Sequence, residues 1–167
     1  MQVANVTTPA NFFHMIRRQM HREFRLPLIV FTPKSLLRHP RCVSPLADLA
    51  KGNFMEVIDD TTAEPEKIRK VVFCTGKIYF DLLEEKEKLS ADDTALVRIE
   101  QLHPFPEKQI REIMKKYSKS ADNLWTQEEP ANMGAWTFIQ QKMQEYYLRL
   151  VARPASGSPA TGSPEFH

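Results

Sequence analysis

The stretch KVVFCTGK at residues 70–77 decides the fold class. Its four consecutive apolar residues are typical of a strand that is buried on both faces of a sheet. The Thr-Gly-Lys turn that follows leads into residues 78–89, whose composition favours a helix. We therefore predict a strand, a tight turn and a helix in immediate succession.

The same unit occurs twice more along the chain. Residues 95–99 and 123–126 predict strands, and a helical pattern follows each of them. The strand at residues 123–126 is expected to end in a turn at residues 127–130. The last helix is expected to run from Trp136 to Leu150. Strands that alternate with helices at this spacing predict a mostly parallel sheet with helices on both faces. The predicted class is α/β.

The first sixty residues carry their own helix and strand signals. Thr8-Pro9 predicts a helix start, because a hydroxyl caps the helix and proline costs no hydrogen bond at its first position. Residues 28–31 predict a strand buried on both faces. Ser44-Pro45 predicts a second, short helix through Leu49, and residues 54–58 predict a weaker strand. We expect the buried stripe of the first helix to consist of Phe12, Phe13, Ile16, Met20 and Phe24.

Composition excludes several classes of protein. The 167 residues suffice for one domain with a sizeable core, and 42% hydrophobic with 26% charged residues is typical of a globular protein. No apolar run approaches the roughly 20 residues of a membrane span. A net charge of +2 argues against a general nucleic-acid or membrane-surface binder. Cys42 and Cys74 match neither a disulfide framework nor a zinc spacing, which favours a reducing compartment.

Charge is distributed unevenly along the chain. Residues 1–41 hold seven Lys or Arg and one acid, Glu23, whereas residues 42–167 hold sixteen basic and twenty acidic residues. This asymmetry predicts two structural neighbourhoods that join near Pro40.

Met1 has the surroundings of an internal methionine. The Pro/Ser/Gly-rich end predicts either a tail or a sequence that stops before its last helix.

The candidate chemistry lies in the turns at the expected carboxyl ends of the strands. Thr75, Gly76 and Lys77 form a candidate anion-binding turn, because free N–H groups, a helix dipole and an ammonium converge there. The first glycine of a P-loop is missing, however, and Gly76 is explained more simply as a turn residue. Glu128 and Glu129 point to opposite faces of an extended segment and form no acid/base pair. The five histidines suggest neither a nucleophile's base nor a metal site.

Five segments together resemble one known family. They are VTTPANFFHMIRRQMHREFRLPLIVFTPKSLLRHP at 6–40, CTGKIYFDLLEEK at 74–86, VRIEQLHPFP at 97–106, WTQEEPANMGAW at 125–136 and ARPASGSPATG at 152–162. The chain resembles the thiamine-diphosphate-dependent 2-oxoglutarate dehydrogenases over essentially its whole length. The TPKSLLRH and QEEPxNxGAW strings carry most of the specificity.

The resemblance implies a domain organisation. Residues 1–35 correspond to the last strand, helix and strand of a pyrimidine-binding domain. Residues 36–155 correspond to a transketolase-type C-terminal domain, whose mostly parallel sheet contains one antiparallel strand. Residues 156–167 correspond to the start of a truncated C-terminal extension. A complete enzyme of this family is several times longer.

The resemblance also implies a reaction. The family decarboxylates 2-oxoglutarate with thiamine diphosphate and Mg²⁺, and passes the succinyl group to the lipoyl group of a succinyltransferase in the tricarboxylic acid cycle. The groups that hold cofactor and metal lie upstream in the family, so we assign no catalytic, cofactor-binding or metal-binding residue here. We expect an inactive, dimer-forming part of a multienzyme complex, in the bacterial cytoplasm or the mitochondrial matrix, without nucleic-acid or membrane partners.

Some relatives carry a regulatory pocket for a CoA activator. Arg18 and Gln101 match residues of that pocket, and Lys108 keeps one positive charge. Three positions depart from its basic and hydroxyl pattern, namely Asn53, Glu56 and Gln109. A glutamate is unfavourable where phosphates approach, so we expect this regulation to be lost.

The residues alone leave a second function open. A free-standing α/β module could bind an anionic nucleotide or an acidic protein through Lys77 and the face that carries Arg17 and Arg18. This alternative belongs to a different class, a binding module instead of part of an enzyme.

Overall fold

The computed structural model describes residues 1–117 and 122–162. The strands within these ranges are β1 (Gln2–Ala4), β2 (Leu28–Val30), β3 (Val57–Ile58), β4 (Lys70–Cys74), β5 (Thr94–Ile99), β6 (Gln101–His103), β7 (Asp122–Pro130) and β8 (Arg149–Arg153). The helices are α1 (Pro9–His21), α2 (Leu46–Lys51), α3 (Ile78–Lys88), α4 (Glu107–Lys116) and α5 (Trp136–Lys142), with a 3-10 helix at Lys34–Arg38.

The larger sheet has the strand order β3-β5-β4-β7-β8. Its strands are parallel except for β3, which runs antiparallel to β5. This confirms the predicted α/β class with a mostly parallel, mixed sheet. The chain leaves β4 through α3 to reach β5 on one side, and leaves β7 through α5 to reach β8 on the other. The adjacent strands β4 and β7 therefore lead away in opposite directions.

Both faces of this sheet are covered, as the continuous apolar strands predicted. Alternate side chains of each strand point to opposite faces. On one face the strand side chains pack against helices α4 and α5, and this core includes Val71, Phe73, Val97, Ile99, Trp125, Ile110, Ile113 and Ile139. On the other face Val72, Leu96 and Leu124 pack against the α3 side chains Tyr79, Leu82 and Leu83.

The smaller sheet has three strands in the order β2-β1-β6. Strand β1 pairs parallel with β2 and antiparallel with β6. Only Glu100 separates β6 from β5, so the chain passes from one sheet to the other across a single residue. Three of the four residues between β5 and Pro104 thus form a strand.

The expected buried stripe of α1 is wrong. Thr8 caps the helix as predicted, and its hydroxyl accepts a hydrogen bond from the Asn11 N–H at 3.2 Å. The buried residues of the helix, however, are Ala10, Asn11, His14 and Met15. The five predicted side chains are between 37% and 67% exposed. Helical periodicity identifies an apolar face, but it does not say whether anything covers that face.

Several predicted boundaries also differ from the structure. Strand β2 is a half-exposed edge strand, not one buried on both faces. The strand expected at residues 54–58 is confined to β3. Strand β7 continues through the turn predicted at residues 127–130. Helix α5 ends at Lys142, and Leu150 lies on β8 instead of on the last helix.

The predicted cap of α2 is wrong as well. The residue before this helix is Pro45, which makes no side-chain capping bond. The Ser44 hydroxyl instead accepts a hydrogen bond from the Ala10 N–H of α1 at 3.1 Å. The serine therefore stabilises the start of a different helix, because the chain brings α1 and α2 together.

Candidate functional site

The N-terminal arm, residues 5–11, lies across the carboxyl ends of β4 and β5. The Asn5 N–H donates to the Glu100 carbonyl oxygen at 2.9 Å. The Asn5 amide also packs so closely over Gly76 that an added Cβ would lie 2.4 Å from Asn5 Nδ2. Ligands of open α/β sheets usually bind beside such strand ends. Here the protein's own arm occupies part of that edge.

A fully buried carboxylate, Glu100, holds the arm in place. Its Oε1 accepts from the Thr7 hydroxyl at 2.5 Å, and its Oε2 accepts from the Thr7 N–H at 2.8 Å and from Asn11 Nδ2 at 2.9 Å. Arg98 donates to the Thr7 hydroxyl oxygen at 2.9 Å. Burial raises the pKa of Glu100, while Arg98 and these donors act in the opposite direction. Because every close partner donates, the geometry suits the ionised carboxylate.

The residues of the predicted anion-binding turn all have partners within the protein. The Thr75 hydroxyl donates to the Ile99 carbonyl oxygen at 2.7 Å. Gly76 adopts a φ of +72°, which favours glycine, and packs against Asn5. Lys77 forms an ion pair with Glu128. An anion at this turn would have to compete with the Glu128 carboxylate, so anion binding here stays a prediction.

A second polar cluster surrounds Arg18 on α1. Its guanidinium donates to Glu56 Oε1 at 3.1 Å and to Gln101 Oε1 at 2.5 Å, and it lies 4.1 Å above the centre of the Phe54 ring. Glu56 also accepts from Gln101 Nε2 at 3.2 Å and from Gln109 Nε2 at 2.7 Å. Burial, together with Arg22, lowers the pKa of Arg18, and Glu56 opposes this effect. Glu56 is therefore the acceptor that joins this cluster.

The structure only partly brings the three regulatory candidates together. Gln101 and Lys108 line one cavity of about 490 Å³ together with Glu56, and Gln101 also accepts a hydrogen bond from Arg18. Arg18 itself lines a different cavity of about 270 Å³, which it shares with Asn53.

Gln127 has a structural role that the sequence interpretation missed. Its Oε1 accepts from Trp125 Nε1 at 2.9 Å and from the Trp136 N–H at 3.1 Å. Its Nε2 donates to the carbonyl oxygens of Pro130 at 3.1 Å and Met133 at 2.7 Å. Gln127 therefore fixes the backbone at Pro130, Met133 and Trp136.

Two kinds of site are absent from the part of the chain that the structure describes. No three His, Cys, Asp or Glu side chains lie close enough together to hold a metal ion. No helix in residues 1–117 or 122–162 combines the length and apolar character needed to cross a bilayer.

Comparison with known proteins identifies the family. The model of the 2-oxoglutarate dehydrogenase C-terminal family matches residues 43–167, which include the whole larger sheet. The chain belongs to the 2-oxoglutarate dehydrogenase C-terminal family. It is 48% identical over 168 residues to the 2-oxoglutarate dehydrogenase E1 component of Cupriavidus necator, and 48% identical over 182 residues to those of Brucella ovis and Brucella canis.

These relatives are much longer than the domain described here. Each match covers 97% of this chain but only 18% of the relative, in the C-terminal part of the E1 component. The similarity thus extends over the N-terminal arm and α1 as well as the 2-oxoglutarate dehydrogenase C-terminal region. The recognised resemblance is confirmed at the level of the family.

Within this 2-oxoglutarate dehydrogenase C-terminal domain, Glu100 is the most deeply buried acid that the sequence interpretation left without a role. A signal for it was present, since an acid directly follows a strand of buried apolar residues at the ligand-binding edge of the sheet. Such a position requires donors from elsewhere in the fold.

Proposed function

We propose that this chain is the supporting C-terminal part of an E1 component that decarboxylates 2-oxoglutarate with thiamine diphosphate and Mg²⁺. That component would pass the succinyl group to the lipoyl group of a succinyltransferase. Residues outside this chain would hold the cofactor and the metal. The proposal also includes a homodimer, a cytoplasmic location in bacteria, and the domain boundaries 1–35, 36–155 and 156–167. The similarity to E1 components supports it.

The observation that carries this function is the apolar face of α1, which consists of Phe12, Phe13, Ile16 and Met20. All four side chains are at least 37% exposed. Of the sixteen large hydrophobic side chains exposed in the described residues, twelve lie within residues 1–46. Such concentration marks an interaction surface. We assign the remainder of an E1 component as the occupant, because the relatives that this chain matches are more than five times as long.

A chimera tests this function. In it, the corresponding C-terminal part of the Cupriavidus necator relative is replaced by this chain, and decarboxylation of 2-oxoglutarate is measured with thiamine diphosphate, Mg²⁺ and ferricyanide. We expect activity from the chimera and none from the isolated chain. Phe13→Asp should lower the activity by roughly tenfold or more, because it places a charge in the interface. Tyr147→Asp is the matched control, since Tyr147 is 87% exposed and lies far along the chain from α1.

Two outcomes contradict the proposal. Decarboxylation by the isolated chain would place the reactive centre within these residues. The second outcome is equal activity of the Phe13→Asp and Tyr147→Asp chimeras, with unchanged oligomeric state in light scattering. It would show that the apolar face of α1 takes no part in the assembly.

We further propose that the activator pocket known in some relatives no longer accepts CoA. Glu56 places a carboxylate against Arg18, where an activator phosphate would otherwise be attracted. Gln101 and Gln109 both donate hydrogen bonds to this carboxylate, so both Glu56 oxygens have partners within the protein. An incoming anion would have to displace all three contacts.

A further inference from the structure

A cavity of about 520 Å³ lies at the carboxyl ends of β4 and β7. These are the adjacent strands from which the chain leads away in opposite directions, and ligands of open α/β sheets characteristically bind at such a point. The N-terminal arm occupies the edge beside β5, and its first residue, Asn5, lines this crevice. Both sheets contribute to its lining, with Leu102 from the smaller sheet and Thr75 beside β4 of the larger.

Most of the cavity wall is apolar. Leu102 and Phe138 line it as half-buried side chains, and the fully buried Trp125 lies at its base. Gln127, which also lines it, has its amide oxygen and nitrogen engaged by Trp125, Trp136 and three carbonyl oxygens. A pocket of this volume with preformed apolar walls suits a small organic ligand of about two rings.

The charge of the cavity limits the kind of ligand. Glu129 lines its rim with an exposed carboxylate, and the Thr75 oxygen offers a further acceptor. Among the described lining residues there is no lysine or arginine, and His103 is the one other titratable group. A phosphate or carboxylate would find no fixed cation here. The site instead favours a neutral or positively charged compound that donates hydrogen bonds.

We propose that this cavity binds a flat two-ring nitrogen compound that carries an amino group. The rings lie between Leu102 and Phe138, and the amino group donates to the Glu129 carboxylate. This proposal goes beyond the function proposed above, since it concerns a small-molecule site whose described lining belongs to this chain.

Tryptamine is a suitable probe, and indole-3-propionate is its anionic counterpart with the same rings. Binding to the 167-residue chain is measured by calorimetry at pH 7.5 and located by amide chemical shifts in ¹H–¹⁵N spectra. We expect tryptamine to bind with a Kd below about 1 mM. We expect it to bind at least about threefold more tightly than indole-3-propionate. Shifts are expected at Leu102 and Ala135 and not at Leu83 on the opposite face of the sheet.

Two variants separate the charge from the cavity. Glu129→Gln keeps an exposed polar side chain and should reduce the preference for tryptamine to less than about twofold. Ala135→Leu fills part of the cavity and should abolish binding of both compounds. Glu84→Gln, on the exposed surface of α3, is the control and should leave the preference unchanged. If Ala135→Leu fails to fold, Glu129→Gln alone decides.

Three results overturn the proposal. They are the absence of saturable tryptamine binding at concentrations up to about 5 mM, equal affinity of the chain for the two compounds, and a preference that survives in Glu129→Gln.

Discussion

Glu100 and Thr7, 93 residues apart in sequence, are joined by two hydrogen bonds, from the Thr7 hydroxyl at 2.5 Å and from the Thr7 N–H at 2.8 Å. The pair connects the N-terminal arm to the junction between the two sheets. We expect Glu100→Gln to lower the free energy of unfolding by about 2 kcal/mol, because the new amide NH₂ faces groups that are themselves donors. Urea denaturation at pH 7 measures the loss.

The control for this substitution is Glu84→Gln. Glu84 is 60% exposed and pairs with Lys88 on the same helix, so its substitution should change stability far less than Glu100→Gln does. Equal effects of the two substitutions would show that the Glu100 contacts contribute no more than a surface ion pair.

Asp60 makes stability depend on acidic pH. Burial alone would raise the pKa of this carboxyl, but hydrogen bonds from Lys86, Thr62 and the Leu96 N–H lower it to about 2. The unfolded chain has a pKa near 3.9, so the folded state is favoured above that pH and loses this contribution as the pH falls towards 2. The contribution is roughly 2 kcal/mol at neutral pH.

Asp60→Asn tests this dependence by urea denaturation at several pH values. The variant should be less stable than the unsubstituted protein at pH 7, and the difference should shrink steadily below pH 4 or so. Asp92→Asn serves as an exposed control and should show a constant small difference. A pH-independent difference for Asp60→Asn would contradict the lowered pKa.

Gly52 is required for space, although its φ of −83° is accessible to any residue. A Cβ there would lie 2.4 Å from the Asp48 carbonyl oxygen and 2.8 Å from His14 Nε2. These two atoms form the 2.7 Å hydrogen bond that ties α1 to α2. Gly52→Ala should therefore destabilise the fold by about 1–3 kcal/mol. Gly157→Ala meets no atom within 4 Å and should be neutral; equal melting temperatures for both variants would refute the argument.

Glu56→Ser should restore anion binding beside Arg18. The substitution removes the carboxylate that pairs with the guanidinium at 3.1 Å and leaves a hydroxyl in its place. In calorimetry on the chimera described under Proposed function, acetyl-CoA should bind the variant at least about tenfold more tightly than the unsubstituted form. Glu84→Ser should have no effect. Micromolar binding of acetyl-CoA by the unsubstituted chimera would contradict the loss of regulation.

The strands of the larger sheet were predictable because their environment is simple. Strands β4 and β5 are covered on both faces, so each contains a run of consecutive apolar residues, which is typical of a buried strand. The end of β7 was not predictable in the same way. Pro130 and two adjacent glutamates suggest a turn, and the extended conformation depends on Gln127, whose partners lie up to nine residues away.

The polar clusters show a different reason why part of the site could not be predicted from the sequence. The sequence pointed to Arg18 and Gln101 through a resemblance, and these two side chains contact each other directly. Glu56, which is 38 residues from one and 45 from the other, accepts hydrogen bonds from both. Local spacing carries no information about such a bridge. The exposed side of α1 is a third case, since amphipathic periodicity looks the same whether or not a partner covers the apolar side.

The passage from β5 to β6 across one fully buried residue has a mechanical consequence. A hinge requires residues that can change φ and ψ freely, and Glu100 is held by its carboxylate and by its backbone N–H, which donates to the Glu56 carbonyl oxygen at 2.9 Å. The two sheets thus have no axis about which to swing apart. We expect them to unfold together, so that heating gives one calorimetric transition.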